Sequence, residues 1–110
     1  PWLSVRTTVY CDEDERLPKP VELAAYFVAC EALANVAKYA HATHASVRVT
    51  RRDGLAVIEI ADDGIGGADE TKGTGLQGLA DRVATLNGRL HILSPPGAGT
   101  VVTAELPCAS

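Results

Sequence analysis

Glu31, Asn35 and Lys38 stand four and three residues apart in EALANVAKYA, residues 31–40. At 100° per residue of α-helix they project within about 60° of one another, so a helix lines a carboxylate, an amide and an ammonium along one face. An Asn amide oxygen is a hard, neutral ligand of the kind Mg²⁺ takes when phosphates and waters complete its shell. Lys38, one turn on, suits a phosphate as a point charge, and Glu31, one turn back, suits accepting a proton or orienting a nucleophile. Together the trio fits the surroundings of a metal-bound polyphosphate. The plainer account is the wet edge of an amphipathic helix. The surrounding run is so poor in other polar side chains that a generally wet face does not explain the three.

Glycine-rich stretches carry the second signal. DDGIGG, residues 62–67, comes directly after the apolar run LAVIEIA. That order puts Asp62 at a strand end and Gly64, Gly66 and Gly67 in the turn beyond it. Glycines there permit positive φ and let a flat ring approach the backbone closely. An ionised carboxylate only accepts hydrogen bonds, so Asp62 suits an exocyclic amino group such as adenine's and repels guanine's carbonyl oxygen. An Asx-turn is the plainer reading of the same residues. In GTGLQGL, Gly73, Thr74, Gly75 and Leu76 open a second helix whose first backbone N–H groups suit a phosphate. No G-K-[ST] follows, so this is not a Walker loop, and no strand runs directly into it as a dinucleotide fingerprint requires. In PGAGT, Thr100 stands where its hydroxyl reaches Asp62 through a water, or simply begins a strand after a turn.

The elements that must position these residues follow from periodicity. WLSVRTTVY alternates as a strand, and PVELAAYFVACEALANVAKYA reads as one long helix over 20–40, with Pro20 suited to its first turn. ASVRVTRR and LAVIEIAD read as two strands joined at Asp53-Gly54, the dipeptide of tight type I′ turns. LQGLADRVATL is helical and stops at Asn87-Gly88; GRLHILS and TVVTAELP are two further strands. The order β-α-β-β-α-β-β, with sequential hairpins and two long helices, favours an α/β sandwich with helices on one face of a mixed sheet over a doubly wound sheet.

The 110 residues match one domain, with 46% hydrophobic and 22% charged residues as in globular proteins. A net charge of −4, with no basic cluster beyond Arg51-Arg52, argues against nucleic acid as a partner. No apolar stretch approaches the ~20 residues that span a bilayer, so no direct membrane contact is expected. Cys11, Cys30 and Cys108 are odd in number and without C-x-x-C spacing, which argues against a disulfide framework or a zinc site and suits a reducing cytoplasm. The chain begins Pro1-Trp2 without an initiating Met, as an excised piece of a longer protein does.

E-x-x-x-N-x-x-K, D-x-G-x-G, G-x-G-L and P-G-x-G-T, in this order from about Val21 to Pro107, resemble the catalytic and ATP-binding domain of bacterial sensor histidine kinases. That domain belongs to the GHKL superfamily, whose Bergerat fold is a two-layer α/β sandwich with a mixed, mostly antiparallel sheet. The resemblance implies Asn35 as Mg²⁺ ligand, Glu31 as the residue assisting phosphoryl transfer, and Lys38 as a phosphate contact. It likewise implies Asp62 as the adenine-binding aspartate with Gly64 and Gly66 beside it. Gly73, Thr74, Gly75 and Leu76 then end the mobile lid over ATP, and Thr100 lies on the adenine side. Tyr39 stands where many relatives carry His. The segment from Gly67 to Gly73 is short and Phe27 is the sole Phe, both as in the short-lid subfamily typified by nitrate-sensor and thermosensor kinases.

The activity so implied moves the ATP γ-phosphate to a histidine. His41 and His44 are each followed by Ala and His91 by Ile, so none resembles the phosphoacceptor His with its acidic neighbour. The acceptor is therefore expected on a dimerisation domain of the same kinase outside this chain, with a response regulator as partner of the whole protein and this domain a monomer by itself. A cytoplasmic domain is expected, whether or not the parent is anchored to a membrane. An anti-sigma-factor serine kinase of the same superfamily and a non-catalytic nucleotide-binding module are the alternatives.

Overall fold

The computed structural model describes residues 6–11, 17–37, 41–67 and 76–108. Strands β1 (Arg6–Cys11), β2 (His44–Arg52), β3 (Leu55–Asp62), β4 (Arg89–Leu93) and β5 (Thr100–Pro107) form one sheet in the order β1-β2-β3-β5-β4. β1 runs parallel to β2 and every other neighbouring pair is antiparallel. Helices α1 (Lys19–Asn35) and α2 (Leu76–Thr85) complete the two-layer sandwich, α1 lying chiefly across β3 and β5 and α2 beside it over β4. This is the mixed, mostly antiparallel sheet expected from the sequence.

Alternation decides which sheet face is covered. Val47, Ile60 and Val102 pair in register across β2, β3 and β5, as do Ile58 with Ala104 and Ala56 with Leu106, and all are buried. Their neighbours in sequence point the other way, so Arg48, Glu59, Thr103 and His91 form a polar row across the open face. LAVIEIAD and TVVTAELP coincide with β3 and β5. Between β2 and β3, Asp53 and Gly54 have φ of 52° and 77°, positive at both central residues as a type I′ turn requires.

The long helix expected over 20–40 is α-helical to Asn35, the Val36 N–H being shared between the carbonyls of Ala32 and Leu33, and continues as a wider turn at residues 36–37; the rest of the expected span, residues 38–40, lies outside those described. Its buried stripe is made of small side chains, Ala25, Val28, Ala32 and Val36, while Leu23 and Tyr26 are 71% and 72% exposed. Small residues let the helix sit close over the sheet, so the larger apolar groups are left on its outer side. Scarcity of polar residues therefore does not mean burial all round. Phe27 is partly covered by the Arg82 guanidinium of α2, 4.3 Å from its ring centroid.

α2 ends as Asn87-Gly88 predicts. Asn87 takes φ of 60°, its N–H bonds to the Ala84 carbonyl, and the Gly88 N–H bonds to the Val83 carbonyl at 2.9 Å, a Schellman ending with Asn in the left-handed position. A Cβ at Gly88 would stand 2.5 Å from the Glu105 carbonyl oxygen and 2.8 Å from Leu106 Cδ2, with backbone that cannot swing aside. Gly88→Ala is accordingly expected to cost about 1–3 kcal/mol in urea unfolding. Gly78→Ala, inside α2 with open space around it, is expected to be neutral or to stabilise by up to about 1 kcal/mol. Equal stability of the two variants would contradict this packing.

Candidate functional site

β3 delivers Asp62 to the sheet end, where it pairs in register with Thr100, the first residue of β5. Asp62 Oδ1 accepts the Gly64 N–H at 2.8 Å, closing an Asx-turn, and the Thr100 backbone N–H also donates to this carboxylate. Partial burial is the larger influence and pushes the carboxyl above the usual carboxylate range; the two N–H groups pull it back and the neighbouring Asp63 charge raises it further. The plain turn and the ligand-binding reading thus coexist in one residue: a half-buried acceptor, steadied by backbone, at the mouth of a glycine loop.

That loop is pressed against the β4–β5 turn. Gly66 and Gly99 have φ of 66° and 76°, and a Cβ on Gly66 would run into the Pro95 carbonyl oxygen while one on Gly99 would run into that of Asp62. The Gly67 N–H bonds to the Ser94 carbonyl at 2.8 Å and the Gly97 N–H to the Ile65 carbonyl. Thr100 is buried, and its hydroxyl is bonded to the Ser94 hydroxyl. Its direct link to Asp62 runs through the backbone N–H. Ser94 escaped the sequence reading because its value depends on a hairpin that folds it back onto Thr100.

Glu31 and Asn35 share a face of α1 next to the buried stripe, Glu31 exposed and Asn35 half-buried. Beyond Asn35 the chain crosses to Thr43 and enters β2, which starts beside the end of β3 with Ala45 opposite Asp62. Leu76 places its side chain in the core at 3% exposure, which leaves its backbone N–H as the group able to meet a ligand. Lys38, Gly73, Thr74 and Gly75 lie outside the described residues.

Asp63 is the second residue the sequence reading passed over. Oδ1 accepts the N–H groups of Thr43 at 2.8 Å and His44 at 3.0 Å, and Oδ2 accepts the Thr43 hydroxyl at 2.7 Å. These donors, led by the His44 N–H and the Thr43 hydroxyl, hold its carboxyl well below the usual range. Its stabilising contribution is thus present above that range and lost as pH falls through the folded value. The available signal is the Asp-Asp pair itself, since successive residues leaving a strand point to opposite sides.

Among the described residues no group of three or more His, Cys, Asp or Glu side chains gathers to hold a metal. A single amide oxygen at Asn35 fits Mg²⁺ in the manner in which phosphates supply most of its ligands. An open hollow of about 300 Å³ lies elsewhere, on the uncovered sheet face among Arg48, Thr50, Glu59, Thr103 and Glu105, and includes none of the candidate residues. Among the described residues no helix is long and apolar enough to cross a membrane.

Comparison with known proteins bears on this arrangement. Residues 21–110 match the family described as histidine kinase-, DNA gyrase B- and HSP90-like ATPases. The chain is 35% identical over 97 residues to the oxygen sensor histidine kinase NreB of Staphylococcus carnosus, covering 84% of this chain and 28% of that protein. It is also 35% identical over 97 residues to the histidine-protein kinase/phosphatase DegS of Brevibacillus brevis, covering 84% of this chain and 25% of that one. The chain thus spans about a quarter of the length of these curated relatives. Among solved structures, the blue-light activated histidine kinase of Erythrobacter litoralis superposes with a TM-score of 0.80 at 20% identity, over 96% of this chain and 36% of that chain, a likeness of fold. With residues 21–110, most of its length, matched by one family model, the chain belongs to the histidine kinase-, DNA gyrase B- and HSP90-like ATPases.

Proposed function

We propose that this chain is the Mg²⁺-ATP-binding catalytic domain of a sensor histidine kinase, transferring the γ-phosphate of ATP to a histidine on a separate dimerisation domain. The observation that carries the reading is Asp62, a half-buried carboxylate fixed by the N–H groups of Gly64 and Thr100 at the mouth of a positive-φ glycine loop. Such an acceptor discriminates adenine from guanine by the edge it meets. Asn35 would hold Mg²⁺, which would supply charge neutralisation at the phosphates. Glu31 is exposed, as befits a group that must act on a histidine brought by another domain. Lys38 and the backbone at Gly73, Thr74, Gly75 and Leu76 are the further phosphate contacts of this reading. Catalysis is then mainly alignment and charge neutralisation. A cytoplasmic location and a response regulator downstream of the histidine belong to the same proposal.

The discriminating experiment incubates the domain with γ-labelled ATP and the parent's dimerisation domain. Label on histidine supports the kinase. Label on a protein serine would favour a serine kinase, and bound but untransferred ATP a non-catalytic module.

Asp62→Asn separates recognition from folding. A carboxyl raised in the folded state favours folding while protonated, and that contribution is lost as pH rises through the folded value; ionised Asp62 therefore works against the fold at neutral pH. The variant is expected to keep or raise Tm, while ATP affinity falls about 10- to 100-fold, the scale of a lost hydrogen bond to a charged acceptor, and preference over GTP relaxes. Calorimetric titration with each nucleotide checks this, and superimposable ATP curves for variant and wild type would refute it.

A further inference from the structure

The side-chain cluster around Asp63 joins two parts of the molecule that the nucleotide reading needs in one geometry. Asp63 is covalently next to Asp62. Its carboxylate meanwhile receives three donors from Thr43 and His44, with His44 Nδ1 a further 3.3 Å from Oδ2, and its own N–H bonds to the His44 carbonyl at 3.2 Å. Thr43 and His44 are where the chain leaving α1 after Asn35 enters β2. One ionised group thus fastens the residues that enter β2 to the start of the loop that follows Asp62. Charge-assisted bonds of this kind are shorter and about twice as strong as neutral ones.

The sheet does not need this clamp to keep its register. β2 and β3 are already paired from Ala45 opposite Asp62 to Arg52 opposite Leu55, with alternate residues buried on one face. What the Asp63 carboxylate adds lies just beyond the last ladder pair, between the residues that enter β2 and the residue that follows Asp62.

We propose that Asp63 is a positioning residue, contacting neither nucleotide nor metal, which locks Thr43 and His44 at the entry to β2 onto the β3 exit and so keeps Asp62 in the orientation toward the α1 side that binding of one Mg²⁺-nucleotide requires. This inference rests on the nucleotide-site reading. It concerns a residue that acts through others, and its signature is a change in nucleotide discrimination rather than in stability alone. Asp63→Ala releases both segments. Asp63→Asn retains Oδ1 for the two N–H groups and gives up only the Oδ2 acceptor. Thr43→Val removes the hydroxyl donor and keeps the Thr43 N–H.

The experiment measures Kd for Mg²⁺-ATP and Mg²⁺-GTP on the full chain and these three variants, below the Tm of each. Asp63→Ala is expected to weaken ATP about 10-fold, the scale of modest misplacement of binding groups, and to lower the ATP-over-GTP ratio. Asp63→Asn is expected to recover most of both quantities and Thr43→Val to fall between. A folded Asp63→Ala with wild-type ATP affinity and an unchanged ratio overturns the proposal while leaving the nucleotide reading intact. Wild-type protein that binds neither nucleotide overturns that reading and this inference with it. If Asp63→Ala does not fold, Thr43→Val decides: a lowered ratio supports the clamp, and an unchanged ratio overturns it.

Discussion

Glu31→Ala, made in protein that includes the dimerisation domain, is expected to slow phosphoryl transfer to histidine by about 10²–10⁴-fold while leaving Mg²⁺-ATP affinity within about 3-fold of wild type. The size is that of removing a positioned general base. The split follows from geometry, because Glu31 is exposed on α1 whereas Asn35, one turn on, is half-buried beside the core stripe. Under the proposed function, a group at the open edge is expected to meet the incoming imidazole rather than the bound nucleotide. It is available to accept the proton that the attacking histidine gives up, or to orient that ring. Single-turnover transfer at saturating ATP, set against equilibrium titration, reads the two quantities separately. Loss of affinity with an unchanged single-turnover rate would move Glu31 from the transfer step to binding.

Asn35→Ala is the second large effect. Its amide oxygen is the one protein ligand proposed for Mg²⁺, so its removal is expected to lower transfer by about 10²–10³-fold, as for loss of one group that steadies developing charge. The Mg²⁺ dependence of ATP binding should vanish with it, leaving only the weaker affinity expected of wild type in EDTA. Asn35→Asp restores an oxygen ligand and should recover part of the Mg²⁺ dependence. Titrations in Mg²⁺ and in EDTA make the comparison, and an undiminished Mg²⁺ effect in Asn35→Ala would place the ion elsewhere.

How much of this was legible from residues alone varies with the physics involved. β3 and β5 follow directly from alternation, because one sheet face is buried and the other wet, and a one-residue slip would expose Ile58 and Ile60. The type I′ turn at Asp53-Gly54 and the Schellman ending at Asn87-Gly88 are local chemistry that propensity expresses well. α1 is harder to read. Its apolar residues run all round, and only packing decides that Ala25, Val28 and Ala32 go inward while Leu23 and Tyr26 go outward.

The site divides in the same way. Asp62 announces itself by standing at the end of an apolar strand before glycines. The roles of Asp63 and Ser94 depend on partners 20 and 6 residues away; the Asp62-Asp63 pair hints at the first, and no local pattern reveals the second. The steric need for glycine at 66 and 99 likewise comes from two loops meeting, since each glycine faces a carbonyl of the other segment.

The central claim is that one nucleotide lies between α1 and the glycine loop, with Asn35 on one side and Asp62 on the other. Amide chemical-shift mapping of the ¹⁵N-labelled chain with a non-hydrolysable ATP analogue and Mg²⁺ tests it most directly. The account predicts the largest shifts at Asn35, Asp62, Gly64, Gly66 and Thr100, with the Asn35 shift depending on Mg²⁺. Shifts gathered instead on the open sheet face, around the hollow between Arg48, Glu59 and Thr103, would contradict it.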